Sequence, residues 1–566
     1  MKITCLLAAW LTSACAILPI SVLAAELNAA EEEQLRQIER ERVLREQLQR
    51  IPDVRLEQPE VEFARQRIPV DEMPCFPIRR IALKGDFAER FRWALHAANP
   101  ASDPAIDRCL GSTGINLVMR RVQNAIIARG YVTTRVLAEP QDLQGGELVL
   151  RLIPGRIRAI RFADGTDDRA SLWNAIPARP GDLLNLRDIE QSLENFKRLP
   201  TADADIQIAP GEQPGESDVI IGWKQAFPAR LNLSADDSGS KSTGQYLGGV
   251  TVALDHMLTL NDLFYLSLNR DLGGGGPGDN GIRSRTAHYS APYGYWLLGL
   301  TANDHTYHQS VAGINQTYIF SGETQNSDVK LSRLVYRDAV RKTSVSLRGW
   351  TRASKNFIDD TEIEIQRRRT SGWETGVGHR EFIGRATLDM NLAYRRGTGA
   401  MDALPAPEEA VGAGASRLKL VTADAQLALP FELGGQSLRY SLAWRAQWNR
   451  APLVPQDRFA IGGRYTVRGF DGENLLSADR GWLIRNDLGL SLGGSGQALY
   501  LGTDYGEVSG PSSALLAGKR LAGMVLGLRG GYKRLGYDIF AGQPLSKPEG
   551  FKTANTTTGF NLNASF

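Results

Sequence analysis

A two-residue periodicity runs through the last part of the chain and limits the folds that it can adopt. From about Phe227 onward, apolar and polar residues alternate in one segment after another. Because successive side chains of a strand point to opposite faces, this pattern predicts β-strands with one apolar and one polar face. One segment shows it over twelve residues, with Leu438, Tyr440, Leu442, Trp444, Ala446 and Trp448 on one face and Arg439, Ser441, Arg445, Gln447 and Asn449 on the other.

Two kinds of fold present such strands, a soluble β-sandwich and a β-barrel that crosses a membrane. The polar face carries full charges, which suit a water-filled lumen, and aromatic residues such as Trp448 flank the apolar face, as at a membrane interface. The chain also ends within a strand, with Phe560, Leu562 and Phe566 on one face. With strands of about 10 residues, the segment 226–566 accommodates about 16 antiparallel strands and their loops. We therefore predict a transmembrane β-barrel with an aqueous channel.

Residues 1–25 have the layout of a secretory signal peptide. Lys2 supplies a positive charge, an apolar stretch follows, and Val22-Leu23-Ala24 offers a small-x-small cleavage site. A lipid anchor at Cys15 is the alternative, but no Leu stands three residues before it and the apolar run continues beyond it. After the signal there is no run of about 18 apolar residues, so no transmembrane helix is expected.

Two of the four cysteines leave with the signal, so the mature chain keeps Cys75 and Cys109. In an exported protein such a pair favours a disulfide, because the compartment is oxidising. Closing a loop of about 35 residues would contribute about 3–4 kcal/mol. Two free, buried thiols remain the alternative.

The segment 26–50 contains a strong helix candidate, EEEQLRQIERERVLREQLQR, at residues 31–50. Nearly all of its residues are good helix formers, and acidic residues crowd the first turn, where they offset the helix dipole. Its charge is too dense for a dry core or for lipid, so the helix must lie in solvent or in a polar channel. Pro52 ends it, and the Pro-rich residues 51–74 are typical of a linker.

Residues 75–154 and 155–225 indicate two small α+β domains of the same plan, strand–helix–helix–strand–strand. In the first domain, Phe76 to Leu83 is a predicted strand and Ile115 to Arg129 an amphipathic helix. In the second, Leu186 to Leu199 is the predicted helix.

Several motifs then make the sequence resemble the outer-membrane transporters of two-partner secretion, the exporters of haemolysins and filamentous adhesins. The motifs are CFPIRRIALKG at 75–85, GYVTTRVLAEPQDLQGGELVL at 130–150, PGESDVII at 214–221, the segment 231–262 and SAPYGYW at 290–296. The resemblance covers essentially the whole mature chain. It implies that the two α+β domains are periplasmic POTRA domains, that the barrel lies in the outer membrane, and that the helix of residues 26–50 is a plug for the pore. A solvated helix outside the barrel is the alternative.

The sharpest motif is Val467-Arg468-Gly469-Phe470. In the barrel superfamily that it resembles, such a tip lies on a long loop folded into the lumen, and its Arg pairs with an Asp of the inner wall. The matching wall segment is Gly502-Thr503-Asp504, and strand alternation places Gly502 and Asp504 on the polar face. An Arg–carboxylate pair can be bidentate and so fix the position of a loop. The alternative is that Arg468 belongs to an ordinary extracellular turn.

The sequence gives little support for a catalytic site or a metal site. His305 and His308 are expected to be a pair in a loop between strands, because no third ligand is spaced to complete a metal site. The glycines of Gly273–Gly276 lack the Gly-Lys-Ser/Thr of a phosphate loop, and Asp236-Asp237 is expected to be a turn. With 66 Lys and Arg against 63 Asp and Glu, the net charge of +3 gives no reason to expect nucleic acid as a partner. We expect no enzyme, no cofactor and no metal.

The resemblance implies the function and its partners. The expected function is export of one cognate exoprotein, recognised in the periplasm by the POTRA domains and passed unfolded through the barrel. The expected partners are a large β-helical adhesin, haemolysin or contact-dependent toxin, together with outer-membrane lipid and the barrel-assembly machinery. The terminal residues Phe560, Leu562 and Phe566 resemble the signal for that machinery, and a monomer is expected. A general porin and a barrel-assembly factor are the alternatives.

Overall fold

A computed structural model of the chain describes residues 31–49, 52–56, 66–313 and 315–566. The predicted signal peptide, residues 1–25, lies outside the described residues. The first described element is helix α1, residues 31–48. None of the described helices is both long enough and apolar enough to cross a membrane.

The first α+β domain follows the plan expected from its sequence, although its first strand is interrupted. Its strands are β1 (Phe76–Ile78), β2 (Arg80–Lys84), β3 (Arg108–Leu110), β4 (Arg135–Leu137) and β5 (Glu147–Ile153), and its helices are α2 (Ala88–Phe91) and α3 (Ser112–Ala128). The main sheet has the order β2-β5-β4, with β2 parallel to β5. The single predicted strand from Phe76 to Leu83 was wrong in one respect, because it breaks at Arg79 and β1 pairs with β3 instead.

The second domain repeats the sheet of the first with one helix fewer. It consists of β6 (Arg156–Phe162), α4 (Leu186–Lys197), β7 (Ala202–Pro210) and β8 (Glu216–Gln225), with the sheet order β6-β8-β7. The prediction of two helices was wrong here, because residues 173–175 form a turn where the first helix was expected. The apolar side of α4 covers the sheet, and Ile189, Leu193 and Phe196 are buried.

The rest of the chain forms a closed antiparallel barrel, of which sixteen principal strands lie in the described residues. They are β9 (Ala229–Asp236), β10 (Tyr246–Asp255), β11 (Leu263–Gly273), β12 (Gly281–Tyr293), β13 (Trp296–Ala312), β14 (Thr317–Arg337), β15 (Arg341–Ile358), β17 (Arg368–Ile383), β18 (Ala386–Thr398), β19 (Lys419–Leu433), β20 (Gln436–Asn449), β23 (Arg480–Ser491), β24 (Ala498–Ser509), β25 (Arg520–Tyr532), β26 (Leu535–Ser546) and β27 (Thr557–Ser565). Three shorter strands lie in connections: β16 (Thr361–Glu362), β21 (Phe459–Ile461) and β22 (Leu476–Ala478).

The barrel closes where β27 pairs with β9, over five residue pairs from Asn561↔Asp236 to Ser565↔Asn232. Alternation along the strands separates the two faces of the wall. On β24, Leu499 and Leu501 are exposed on the outer face, whereas Tyr500 is buried on the inner face. An apolar exterior and a polar interior are what lipid and water require of a transmembrane barrel.

The segments before the first domain are not free of contacts. Ile68 is buried in the core of the first domain, and its N–H donates to Asp103 at 2.9 Å. The Glu72 carboxylate accepts the N–H groups of Gly111, Thr113 and Gly114 at the start of α3, at 2.8–2.9 Å. These hydrogen bonds hold the pKa of Glu72 below its ordinary value, because they outweigh the opposing effect of burial.

A disulfide joins Cys75, just before β1, to Cys109 in β3, with a Cα–Cα distance of 5.2 Å. It closes the small β1–β3 ladder that lies beside the main sheet of the first domain.

Candidate functional site

The connection between β20 and β23, residues 450–479, folds into the barrel lumen. It contains the β21–β22 hairpin, and Asp457 near its start pairs with Arg352 of β15 at 3.0 Å. Its apolar side chains pack on inner-wall residues of β23, β24 and β25. The cluster contains Phe459, Ile461, Val467, Phe470, Leu476 and Ala478 of the connection and Leu483, Val508 and Leu521 of the wall. We call residues 450–479 the lumen loop.

Arg468 at the tip of the lumen loop contacts two carboxylates of the inner wall. Its Nε and one terminal nitrogen donate to the two oxygens of Asp504, both at 2.7 Å, so this pair is bidentate. The same terminal nitrogen donates to Asp487 at 2.6 Å, and the Arg468 N–H donates to Asp504 at 2.9 Å. The side chains of Arg468 and Asp504 are 6% and 1% exposed, so few water molecules can replace these bonds.

Glycines give the tip the room that this arrangement needs. Gly469 has φ +92°, a conformation that L side chains rarely adopt, and a Cβ there would collide with the carbonyl oxygen of Gln543. A Cβ on Gly502 would lie 2.7 Å from the Arg468 guanidinium, and one on Gly523 would collide with the Arg468 carbonyl oxygen. The loop backbone therefore lies directly against the wall.

A second contact ties the lumen loop to the barrel seam. Arg464 pairs with Asp237, just after β9, and donates to the carbonyl oxygen of Phe560 in β27 at 2.8 Å. Asp237 also accepts the N–H of Phe560 at 2.9 Å. The Asp236 carboxylate accepts the N–H of Ser238 at 2.8 Å, which agrees with the expectation of a turn at Asp236-Asp237. Asp237 also links the loop to the closing strands.

The terminal strand carries the residues predicted as an assembly signal. Phe560 and Leu562 lie in β27, and Phe566 follows it, exchanging backbone hydrogen bonds with Leu231 at 3.1 and 2.9 Å. The Phe566 side chain is 55% exposed.

Helix α1 lies in the lumen, where polar contacts hold it. The Arg445 guanidinium of β20 makes a bidentate contact with Glu39, at 2.9 and 2.7 Å. Asn303 of β13 donates to Glu41 at 2.9 Å, and Arg36 donates to the Gly472 carbonyl of the lumen loop at 2.9 Å. The helix therefore contacts both the wall and the lumen loop.

At the periplasmic mouth, α4 of the second domain binds the barrel and the segment 52–56 together. Arg337 at the end of β14 donates to Glu190 at 3.0 Å, to Glu194 at 2.9 Å and to the Val54 carbonyl at 2.6 Å. The N–H of Val54 donates to Glu194 at 2.9 Å, and that of Leu56 to Glu190 at 3.0 Å. The side chains of Arg337, Glu190 and Glu194 are nearly inaccessible to solvent.

The same helix also carries Asp188, which accepts a hydrogen bond from the Tyr295 hydroxyl. Burial raises the pKa of the Asp188 carboxyl above its ordinary value, and the hydrogen bond offsets part of this effect.

His305 and His308 do not form the loop pair that was expected. Both lie within β13, and their odd and even positions place them on opposite faces of the wall. Among the described residues, no three His, Cys, Asp or Glu side chains converge as a metal site would require.

Family models match the chain along most of its length. A POTRA domain of ShlB type matches residues 76–155, and a further POTRA domain matches residues 156–210. The haemolysin secretion/activation protein ShlB/FhaC/HecB matches residues 215–530. The chain belongs to this haemolysin secretion/activation family.

Members of the family are similar over nearly the full chain. The outer membrane transporter CdiB-2 of Burkholderia pseudomallei (strain 1026b) is 39% identical over 562 residues, which cover 96% of this chain and 95% of that protein. The hemolysin transporter protein ShlB of Serratia marcescens is 26% identical and covers 77% and 76%. The solved structure of CdiB from Acinetobacter baumannii has 31% identity and a TM-score of 0.83, covering 95% and 99%.

As a member of the haemolysin secretion/activation family, the chain is an outer-membrane transporter whose POTRA domains lie in the periplasm. The predicted fold class, a barrel of about 16 strands preceded by two POTRA domains and an N-terminal helix, is confirmed.

Sequence reasoning missed several residues of this transporter. Asp487 shares Arg468 with Asp504, Arg445 pairs with α1, and Arg337 joins three segments. The only signal that could have found Asp487 is its place on the polar face of a strand beside Gly502, its register partner.

Proposed function

We propose that this transporter recognises one cognate exoprotein in the periplasm through its POTRA domains and passes it, unfolded, through the barrel to the cell surface. The main support for this proposal is that charged side chains line the lumen and that helix α1 occupies it, held by polar contacts with the wall. Folding of the client outside the cell would give the transfer its direction. The transporter would need no enzymatic step of its own.

Helix α1 is suited to act as a removable plug. Within its described residues, Leu35 is the one apolar side chain that is buried, and Ile38 is 37% exposed. Its hydrogen bonds and ion pairs join groups that water solvates well, so water or a client chain can replace them at a modest cost. The departure of α1 would therefore open the lumen without disturbing the wall.

The outer edge of β7 is the best place in the second domain for an extended client segment. Among the described strands of the two POTRA domains, β7 is the longest at a sheet edge, with nine residues. The opposite edge strand, β6, is partly covered, since Ile157 exchanges backbone hydrogen bonds with Gly181 and Asp182. An open edge can accept a peptide as an added strand through main-chain hydrogen bonds.

A photo-crosslinker tests this edge in living cells. Placed at Gln207, which is exposed on β7, it is expected to link to the client during export. The matched control is the same group at Asp164, which is exposed in the turn after β6 of the same domain. Equal crosslinking at the two positions would show that β7 is not the capture site.

We further propose functional boundaries for the chain. They are a signal peptide at 1–25, the plug helix at 26–50, a linker at 51–74, POTRA domains at 75–154 and 155–225, and the barrel at 226–566. The terminal strand, with Phe560, Leu562 and Phe566, would be read by the barrel-assembly machinery. Because the barrel closes on its own strands, the transporter would act as a monomer.

The function is tested by deleting the gene and following the exoprotein encoded beside it. The expected result is that this one protein is retained in the periplasm while other outer-membrane proteins keep their normal levels. A barrel lacking residues 75–225 is expected to insert but not to export. Export by that truncated barrel would indicate a general porin, and a fall in many outer-membrane proteins would indicate an assembly factor.

A further inference from the structure

A cavity of about 470 Å³ lies where the second POTRA domain meets the periplasmic rim of the barrel. The second domain contributes the segment 172–180 before α4 and Ile160 of β6, and the barrel contributes the turn between β12 and β13 and Arg333 of β14. Its volume falls in the range of about 300–1,000 Å³ that is typical of small-molecule sites. No step of the export mechanism uses this cavity.

Exposed aromatic side chains form one wall of the cavity. Trp173 is 64% exposed and Tyr293 is 54% exposed, and their ring centroids are 5.8 Å apart. Trp296, the first residue of β13, is also exposed, and it shares the outer face of the wall with Leu298 and Leu300. The cavity is therefore continuous with the lipid-facing surface. Trp and Tyr at such a level are typical of the membrane–water interface.

Two arginines bring positive charge to the same cavity. The Arg333 guanidinium lies 4.9 Å from the centre of the Trp296 ring, on the outer face of β14. Arg179 approaches from the second domain. Both side chains are exposed, and neither forms an ion pair within the described parts of the chain. An unpaired guanidinium beside an apolar wall is suited to bind a phosphate group.

The segment that carries Trp173 is held firmly against the rim. The next residue, Asn174, is buried; its side-chain amide donates to the Pro292 carbonyl at 3.1 Å, and its carbonyl accepts the N–H of Gly294 at 2.8 Å. Asn261 of the β10–β11 turn donates to the Asn174 side chain at 2.9 Å. The cavity is thus built from parts that are already fixed relative to one another.

We propose that this cavity binds one anionic phospholipid of the periplasmic leaflet, with its phosphate on Arg333 and Arg179 and its glycerol and acyl groups against Trp173 and Trp296. The occupant is a lipid rather than a client segment, because the cavity opens on the outer face of the wall, away from the lumen. Such a lipid would bridge the second POTRA domain to the membrane. It would add to the contacts of α4 in setting the angle between the domain and the barrel.

Native mass spectrometry of the full-length transporter tests the proposal, with phosphatidylglycerol titrated into the detergent. The wild type is expected to retain one lipid more tightly than the Arg179→Gln/Arg333→Gln variant, by roughly tenfold or more, because each cation near an anionic headgroup contributes about fivefold. The matched control is Arg534→Gln. Arg534 stacks on Phe566 at the same rim, 5.5 Å from the ring centre, but it does not line the cavity. This control is expected to bind as the wild type does.

A second measurement locates the lipid at Trp173. In vesicles containing phosphatidylglycerol with brominated acyl chains, the wild type is expected to lose more fluorescence than the Trp173→Phe variant. Three results would each overturn the proposal. The double variant could retain the lipid as tightly as the wild type does, Arg534→Gln could lose as much affinity as the double variant, or the quenching could be the same with and without Trp173. Protection of Trp173 by an extended client peptide, without quenching by the brominated lipid, would show a peptide site instead.

Discussion

Replacing Arg468 with Ala tests whether this one side chain holds the lumen loop against the wall. The substitution removes three side-chain hydrogen bonds and leaves Asp504, which is 1% exposed, beside the 16% exposed Asp487. Removing one partner of a buried ion pair costs about 3–5 kcal/mol. Arg485 lies 3.7 Å from Asp504, and Arg529 lies 3.6 Å from Asp487, so both can compensate in part.

With this compensation we expect a loss of about 2–3 kcal/mol in the binding of the loop to the wall. A loss of that size raises the ratio of released to bound loop by roughly 30- to 150-fold. Arg468→Lys keeps the charge but not the bidentate geometry, so it is expected to fall between the wild type and Arg468→Ala. Export of the client is expected to fall in the same order.

Cysteine labelling measures the released fraction directly. Ala478 is fully buried in the loop cluster, so the thiol of an Ala478→Cys variant reacts with a maleimide only when the loop is released. The native Cys75 and Cys109 do not interfere, because they form a disulfide. The labelling rate in intact cells is expected to rise by the factor given above when Arg468→Ala is added.

Two comparisons decide the result. Arg520→Ala is the control. It removes an exposed ion pair between Arg520, the first residue of β25, and Glu507, which lies on β24 three residues after Asp504, and it is expected to leave the labelling rate unchanged. In a double-mutant cycle, Asp504→Ala added to Arg468→Ala is expected to cost less than it does alone, because no partner is left to bury. If the labelling rates with and without Arg468→Ala lie within threefold of each other, the Arg468–Asp504 pair does not hold the lumen loop against the wall.

Three further predictions concern the plug and the first POTRA domain. Arg445→Gln removes the bidentate partner of Glu39, so it is expected to weaken the binding of α1 in the lumen by about 1 kcal/mol and to raise the open fraction of single channels in planar bilayers roughly fivefold. Arg439→Gln, on the same strand and face, is the control. The Cys75→Ser/Cys109→Ser variant is expected to lose about 3–4 kcal/mol of stability in the first domain, seen as a lower melting temperature by calorimetry. Glu72→Gln is expected to cost about 1 kcal/mol at neutral pH through weaker capping of α3. Because the folded pKa of Glu72 is lowered, its stabilisation is present at neutral pH and is lost as the pH falls through that pKa, so melting curves of the wild type and Glu72→Gln should converge in acid.

The fold could be predicted because each barrel strand has one face in lipid and one face toward water, so apolar and polar residues must alternate along it. The alternation from Leu438 to Trp448 reports both environments at once, and it needs no knowledge of distant partners. Length and turn spacing then bound the number of strands. The two POTRA domains were similarly visible, since α3 and its sheet are local in sequence. The missing helix of the second domain shows the limit. Residues 163–185 form no helix, yet they place Ala175 and Ala178 in the core of the domain, so the apolar residues there did not require one.

The contacts of the site were harder to predict because they join segments that are far apart in the chain. Arg445 and Glu39 are 406 residues apart, and Arg337 and Glu190 are 147 residues apart. In the sequence these charges look the same as charges that water solvates. His305 was misjudged for a related reason: a His on the lumen face of a long strand cannot be told from a loop residue until the strand length is known.

The two structures that fill the lumen are held by different forces, and this difference explains which of them can leave. The lumen loop buries six apolar side chains in the cluster that it forms with the wall, and each of the five that are larger than Ala478 contributes about 1.5–3 kcal/mol. Together with the hydrogen bonds of Arg468 to Asp504, these contacts give the lumen loop a binding free energy larger than the contacts of a passing client could replace. Within the described residues of α1, Leu35 alone is buried in this way, and partly solvated ion pairs add about 0–1 kcal/mol each. A client chain of mixed polarity can therefore exchange with α1 while the loop keeps its place on the wall.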